Sequence, residues 1–276
     1  MGPLLRGRRA DGSAPTLHFL SGNGFCGGVY WPFLKQFLPH YGLFLHDIEG
    51  HGESDAPARF SGTRALATRT VQVIEEQGLR DGRGLIGMGH SRGAAMTLKI
   101  AAENPGLFRA LILLDPITLP TPIWLGWRIA SLLNLNSMAR HTRRRRTAWP
   151  SRDDAFAHLR DRGIFRGWPD EAVACFVDYA MKPQDGLWVL RCPRELEAQI
   201  YEHPVYPWNA FRRAQLPILF LHGAQSYGFF PWAARIARRV NPQVEVATAP
   251  GHHCFMLEQP GQAYEAVWNF LKKFLS

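Results

Sequence analysis

The stretch "LIGMGHSRGAA", residues 85–95, narrows the choice of fold more than any other part of the 276-residue chain. Leu85, Ile86 and Met88 form the apolar run of a buried strand, and Ala94, Leu98 and Ala101 continue at helical spacing. Ser91 therefore falls on the corner where a strand turns directly into a helix. So tight a corner drives the side-chain-bearing residue toward strained backbone angles. It also leaves no room for a β-carbon two positions to either side, where the sequence supplies Gly89 and Gly93. The consequence is an exposed hydroxyl at a helix N-terminus.

The pattern around this corner is one of short apolar runs alternating with amphipathic stretches. Strands are expected near 16–20, 42–48, 84–90, 110–114, 217–221 and 244–248, and helices through 29–38, 62–78, 92–103 and 262–275, the last with Tyr264, Val267, Trp268, Leu271 and Leu275 on one face. Near-continuous apolar strands separated by helices specify an α/β fold with a mostly parallel central sheet covered on both faces. The alternation breaks once, between Pro116 and Gln215, where helical patterns occur without a convincing strand. The expected division is a core of residues 1–116 and 216–276 carrying a helical cap insertion at 117–215. Six of the nine tryptophans (Trp124, Trp127, Trp149, Trp168, Trp188 and Trp208) lie in that insertion, divided between a small core of its own and the lining of an apolar cavity against the sheet.

Composition sets the outer bounds. With 46% hydrophobic and 20% charged residues, the chain can close a large core. The formal charge of +9 is densest in "RHTRRRR", residues 140–146, where no aromatic residue interleaves as a base-stacking surface requires, so a solvated loop is expected and nucleic acid is not. The start, "MGPLLRGRRADGSAP", lacks the apolar core of a secretory signal, and no apolar span approaches membrane length; a soluble, cytoplasmic protein is the expectation. Cys26, Cys175, Cys192 and Cys254 are too widely spaced for zinc-ligand patterns and read as free thiols. No metal cluster, dinucleotide fingerprint or phosphate loop occurs, so no metal and no cofactor are expected.

Four ordered pieces give the chain a resemblance to the α/β-hydrolase family over nearly its whole length. "GHSRG" resembles the family's nucleophile elbow, "DIEGHGESD" the turn after its fourth strand, "LSGNGFCGG" its glycine-rich oxyanion loop and "PGHHCFMLEQP" its histidine loop. The resemblance implies a serine hydrolase acting on small carboxylic esters through an acyl-enzyme. Lactonase, thioesterase or carbon–carbon hydrolase chemistry can share the same constellation, and a non-catalytic binding protein can share the fold. Serine at the elbow argues against dehalogenase and epoxide hydrolase chemistry, which use a carboxylate nucleophile in this family.

The residue types meet the chemical requirement. Serine is a poor nucleophile unless a neutral imidazole takes its proton, and the imidazole needs a carboxylate to fix its tautomer. Ser91 is the expected nucleophile. Of two adjacent histidines, the family's loop spacing selects His253, five positions before Glu258, and leaves His252 to support the loop. His51, His90 and His222 read as structural. The acid is displaced: "LHGAQSYGFFP" contains no carboxylate, and Ser226 stands where many members carry the aspartate. Asp115, at the end of "LILLD", is the expected replacement, as in some branches of the family, although an aspartate before proline is also a common strand terminator. The oxyanion hole is expected from the backbone N–H groups of Arg92 and of Phe25, directly after Asn23-Gly24.

Overall fold

The computed structural model describes residues 4–10, 15–80 and 84–274. In chain order the strands are β1 (Arg6–Ala10), β2 (Thr16–Leu20), β3 (Gly42–Asp47), β4 (Leu85–His90), β5 (Phe108–Leu114), β6 (Ala148–Trp149), β7 (Met181–Gln184), β8 (Leu187–Leu190), β9 (Ile218–Gly223) and β10 (Val244–Ala249). Seven of them make the central sheet in the order β1-β3-β2-β4-β5-β9-β10. All neighbours are parallel except β1, which pairs antiparallel with β3 at the edge. The α/β architecture with a mostly parallel sheet is therefore as the apolar runs require.

Alternate residues of the inner strands feed two separate cores, one per face. Phe19, Leu45, Met88, Ile112 and Leu221 belong to one, and Leu20, Phe44, Leu111, Leu113 and Phe220 to the other. A strand buried on both faces cannot alternate with polar residues, which is why these segments read as unbroken apolar runs. The helix Arg92–Glu103 packs its alanines against the sheet, and the helix Pro260–Leu271 buries Ala263, Val267, Phe270 and Leu271. Leu275, the end of the expected stripe, lies outside the described residues. The helix expected at 29–38 is instead three consecutive short turns of 3-10 and α-helix running through 27–37.

The segment between β5 and β9 contributes nothing to the central sheet, yet it is not purely helical. β6, β8 and β7 form a small antiparallel sheet, correcting the expectation that this region lacks strands. The basic run is not simply a solvated loop, because Ser137–Arg144 is a helix and two of the run's arginines are held in ion pairs. Arg143 spans Glu195 and Glu202, and Arg145 makes a two-pronged pair with the buried carboxylate of Glu197. Both tie the run to the helix Arg194–Glu202. Of the tryptophans, Trp149, Trp168 and Trp208 are buried. Trp124 and Trp127 donate their indole N–H groups to Pro204 O and Tyr201 O.

Candidate active site

The elbow has the geometry its glycines imply. Ser91 adopts φ 53° and ψ −115°, a backbone conformation costly for any residue with a β-carbon. Its amide is held by Leu114 O at 2.9 Å. A β-carbon on Gly89 would lie 2.6 Å from Ala94 N in the helix, and one on Gly93 would lie 2.2 Å from Leu20 O at the end of β2. One glycine lets the strand meet its own helix; the other lets the helix meet the neighbouring strand.

Three loops bring side chains to this corner. His253, on the loop after β10, accepts from Ser91 Oγ at Nε2 over 3.0 Å and donates from Nδ1 to Asp115 Oδ2 over 2.7 Å. Asp115 sits at the end of β5 with φ 43° and is fully buried. Its other oxygen, Oδ1, accepts from Gly223 N at 2.9 Å, and Oδ2 also accepts from Ser226 Oγ. Ser226, in the position of the absent acid, thus binds the acid that the neighbouring strand provides. His252 points away, its side chain 67% exposed, and holds the loop by donating its backbone N–H and Nδ1–H to Glu258. Glu258, the spacing marker, is therefore a brace for the histidine loop.

On the loop after β2 the backbone amides differ in whether they are engaged. Gly22 N–H donates to Tyr30 Oη at 3.2 Å, Gly24 N–H to His51 Nε2 at 2.9 Å, and Phe25 N–H to Gly22 O at 3.1 Å. The Phe25 amide, expected as an oxyanion donor, is engaged in closing its own turn. The amide of Asn23 has no acceptor among the described residues, and Asn23 lines the same cavity as Ser91 and Arg92. Its side chain is pinned outward by donating Nδ2–H to Glu197 O at 3.0 Å.

Two histidines read from sequence as structural turn out to fix this site from beneath. A carbonyl can only accept, so His90 carries its proton on Nε2, donating to His253 O at 2.9 Å, while Nδ1 accepts from the Tyr30 hydroxyl at 2.7 Å. One chain of bonds thereby runs from the Gly22 amide through Tyr30 and His90 to the backbone of His253. His51 is oriented by donating Nδ1–H to Glu49 O at 2.9 Å, leaving Nε2 to hold Gly24. Both rings must be neutral for these roles, and burial keeps them so. It lowers His51 to about 4 and His90, also beside His253, well below the usual histidine value. Their signal in the sequence is their position beside the motif glycines, which does not reveal their partners.

Above Ser91 lies a cavity of about 320 Å³, lined mainly by apolar groups including Ile117, Leu119, Trp127, Met138, Tyr227 and Phe229. Tyr227 packs its ring 5.0 Å from that of His253. Among the described residues no group of three or more His, Cys, Asp or Glu side chains is arranged to hold a metal ion. All four cysteines are free thiols.

A strained serine on a strand-to-helix corner, bonded through histidine to a buried aspartate, places the chain among hydrolase folds. The alpha/beta hydrolase family model matches residues 19–267, and the chain belongs to that family. Human monoglyceride lipase is 33% identical over 82 residues, which are 29% of this chain and 27% of that protein. A type I acyl-CoA thioesterase of Penicillium roqueforti is 32% identical over 97 residues, 35% of this chain and 21% of that one. The chain thus aligns with less than a third of the length of either relative. In overall shape it is similar to the crystal structure of E-2-(acetamidomethylene)succinate hydrolase, with a TM-score of 0.79, 22% identity and coverage of 98% of this chain and 100% of the other.

Proposed function

We propose that the protein is a serine hydrolase that cleaves carboxylic esters with an apolar acyl arm. The observation that carries this reading is the bonded chain Ser91–His253–Asp115, at 3.0 and 2.7 Å, on the floor of an apolar cavity. His253 takes the Ser91 proton as Oγ attacks the ester carbonyl, and the imidazolium that forms is stabilised by Asp115. Negative charge develops on the carbonyl oxygen, where the amides of Arg92 and Asn23 are the donors. His253 then protonates the leaving alcohol, and a water activated by the same ring attacks the acyl-enzyme and regenerates Ser91. Residues 117–215 act as a cap, giving Trp127 and Met138 to the acyl wall. Human monoglyceride lipase, similar over the stretch given above, is named for ester cleavage and supports the reading.

The test is mass spectrometry after exposure to a fluorophosphonate probe. The protein should gain one adduct, mapped to Ser91 and absent in Ser91→Ala, and should turn over p-nitrophenyl esters. A folded protein that takes no adduct would overturn the assignment.

A further inference from the structure

The helix Thr121–Leu132 is the one apolar helix among the described residues that buries no residue. Its inner side is held by the indoles of Trp124 and Trp127. Its outer side, with the residues that follow, presents Leu125, Ile129, Leu132, Leu133, Leu135 and Met138, from 37% to 72% exposed. The other large exposed hydrophobics of the described residues are scattered along the chain. Six fall within fourteen positions, with Leu125, Ile129 and Leu132 at the spacing of one helix face, a concentration of exposed apolar side chains that a docking surface would use.

Beside this surface the charge is positive and free. Arg140 and Arg144, four positions apart on one face of the helix Ser137–Arg144, are both exposed. Neither pairs with a carboxylate among the described residues, in contrast to Arg143 and Arg145, whose partners are Glu195, Glu202 and Glu197. An aliphatic plateau rimmed by unneutralised arginines complements a surface with an apolar interior and anionic headgroups. It does not complement itself, because an isologous contact would face these arginines across the two-fold axis in a chain of net charge +9. Trp127 and Met138, on this same segment, also line the Ser91 cavity.

We propose that residues 121–144 dock the protein peripherally on an anionic lipid bilayer, with the leucines entering the headgroup region and Arg140 and Arg144 contacting lipid phosphates. The docking does not depend on the hydrolytic reading, since it is tested by binding alone. It also brings the cavity mouth to the lipid surface.

Co-sedimentation with vesicles of phosphatidylcholine, with and without about a third phosphatidylglycerol, tests it. The wild-type protein should bind the anionic vesicles and be released by high salt. Arg140→Gln with Arg144→Gln should weaken the partition by roughly five-fold per arginine. Leu132→Gln with Leu133→Gln and Leu135→Gln should weaken it by on the order of a hundredfold. Neither set lines the cavity, so turnover of a soluble ester and the circular dichroism spectrum should stay at wild-type values; the arginine pair carries the test should the leucine variant misfold. Failure of the folded protein to bind anionic vesicles overturns the proposal, as does equal binding to uncharged ones. So does a concentration-dependent dimer that the leucine variant dissociates without any vesicle binding.

Discussion

Asp115→Asn isolates the displaced acid. The carboxylate is fully buried and receives three hydrogen bonds, from Gly223 N–H, Ser226 Oγ–H and His253 Nδ1–H. Asparagine keeps an oxygen for Gly223 but sets an amide nitrogen where Oδ2 stood. Two donors would then meet at His253 Nδ1, so the ring must move its proton to Nε2. There it faces Ser91 Oγ, 3.0 Å away, and cannot accept a proton. The expected loss is on the order of ten-thousandfold in kcat, about 5.5 kcal/mol of barrier. Stability should barely change, because the Ser226 hydroxyl can rotate and accept from the new amide, so the count of buried bonds survives. The assay is kcat and kcat/KM on the best wild-type ester, together with the rate of fluorophosphonate labelling. Turnover within tenfold of wild type, in a variant with an unchanged melting temperature, would reduce Asp115 to a strand terminator.

Four other outcomes are expected. His253→Ala should abolish turnover while His252→Ala, which loses only the side-chain bond to Glu258 and keeps the backbone one, retains at least a tenth of it; steady-state kinetics of the pair decides. Tyr30→Phe strips a buried partner from both Gly22 and His90, costing about 1–3 kcal/mol in urea unfolding and lowering kcat more than it raises KM. Gly93→Ala drives a β-carbon into the backbone of β2 and should lower the melting temperature by several degrees or prevent folding, whereas an unaffected melt would refute the close approach. Acid should destabilise the fold, since burial lowers His46 and His51 to about 4 and His18 and His90 well below their ordinary value. The unfolded chain then binds more protons, so this stability is complete above about pH 6.5 and is lost as pH falls toward 4. By about pH 5, His46 and His51 together cost about 4 kcal/mol, and Asp47, raised to about 6 by burial, offsets about 1 of it. A melting temperature flat between about pH 7 and 5 would contradict this.

The parts of the fold written in the sequence are those whose physics is local. A buried parallel strand must be apolar throughout, so β2, β4, β5 and β9 show themselves, and a tight corner must have glycines, so Ser91 does too. β1, "RGRRA", is a polar edge strand whose one neighbour is β3, and nothing in its composition betrays it. β6, β7 and β8 run two to four residues each, too short for a period to register. Which amide of the oxyanion loop is free is not legible in the sequence, because it depends on which turn its neighbours close: Phe25 N–H bonds Gly22 O, while the amide of Asn23 has no acceptor among the described residues. Residue type carries no record of that. Asp115 could be named by elimination, but the hydroxyl of Ser226 upon it is a contact between strands 111 positions apart.

Moving the carboxylate to the end of β5 separates two duties that the loop after β9 would otherwise carry together. With the charge anchored on another strand, residues 227–229 are released to serve as wall: Tyr227 and Phe229 face the cavity, and only Ser226 stays committed to the acid. The cavity wall can therefore be reshaped at Phe229 without touching the bonded chain Ser91–His253–Asp115, whereas Tyr227, its ring 5.0 Å from that of His253, belongs to both. In the proposed hydrolase, selectivity is then adjustable at Phe229 apart from reactivity, a division of labour that a loop bearing its own aspartate would deny.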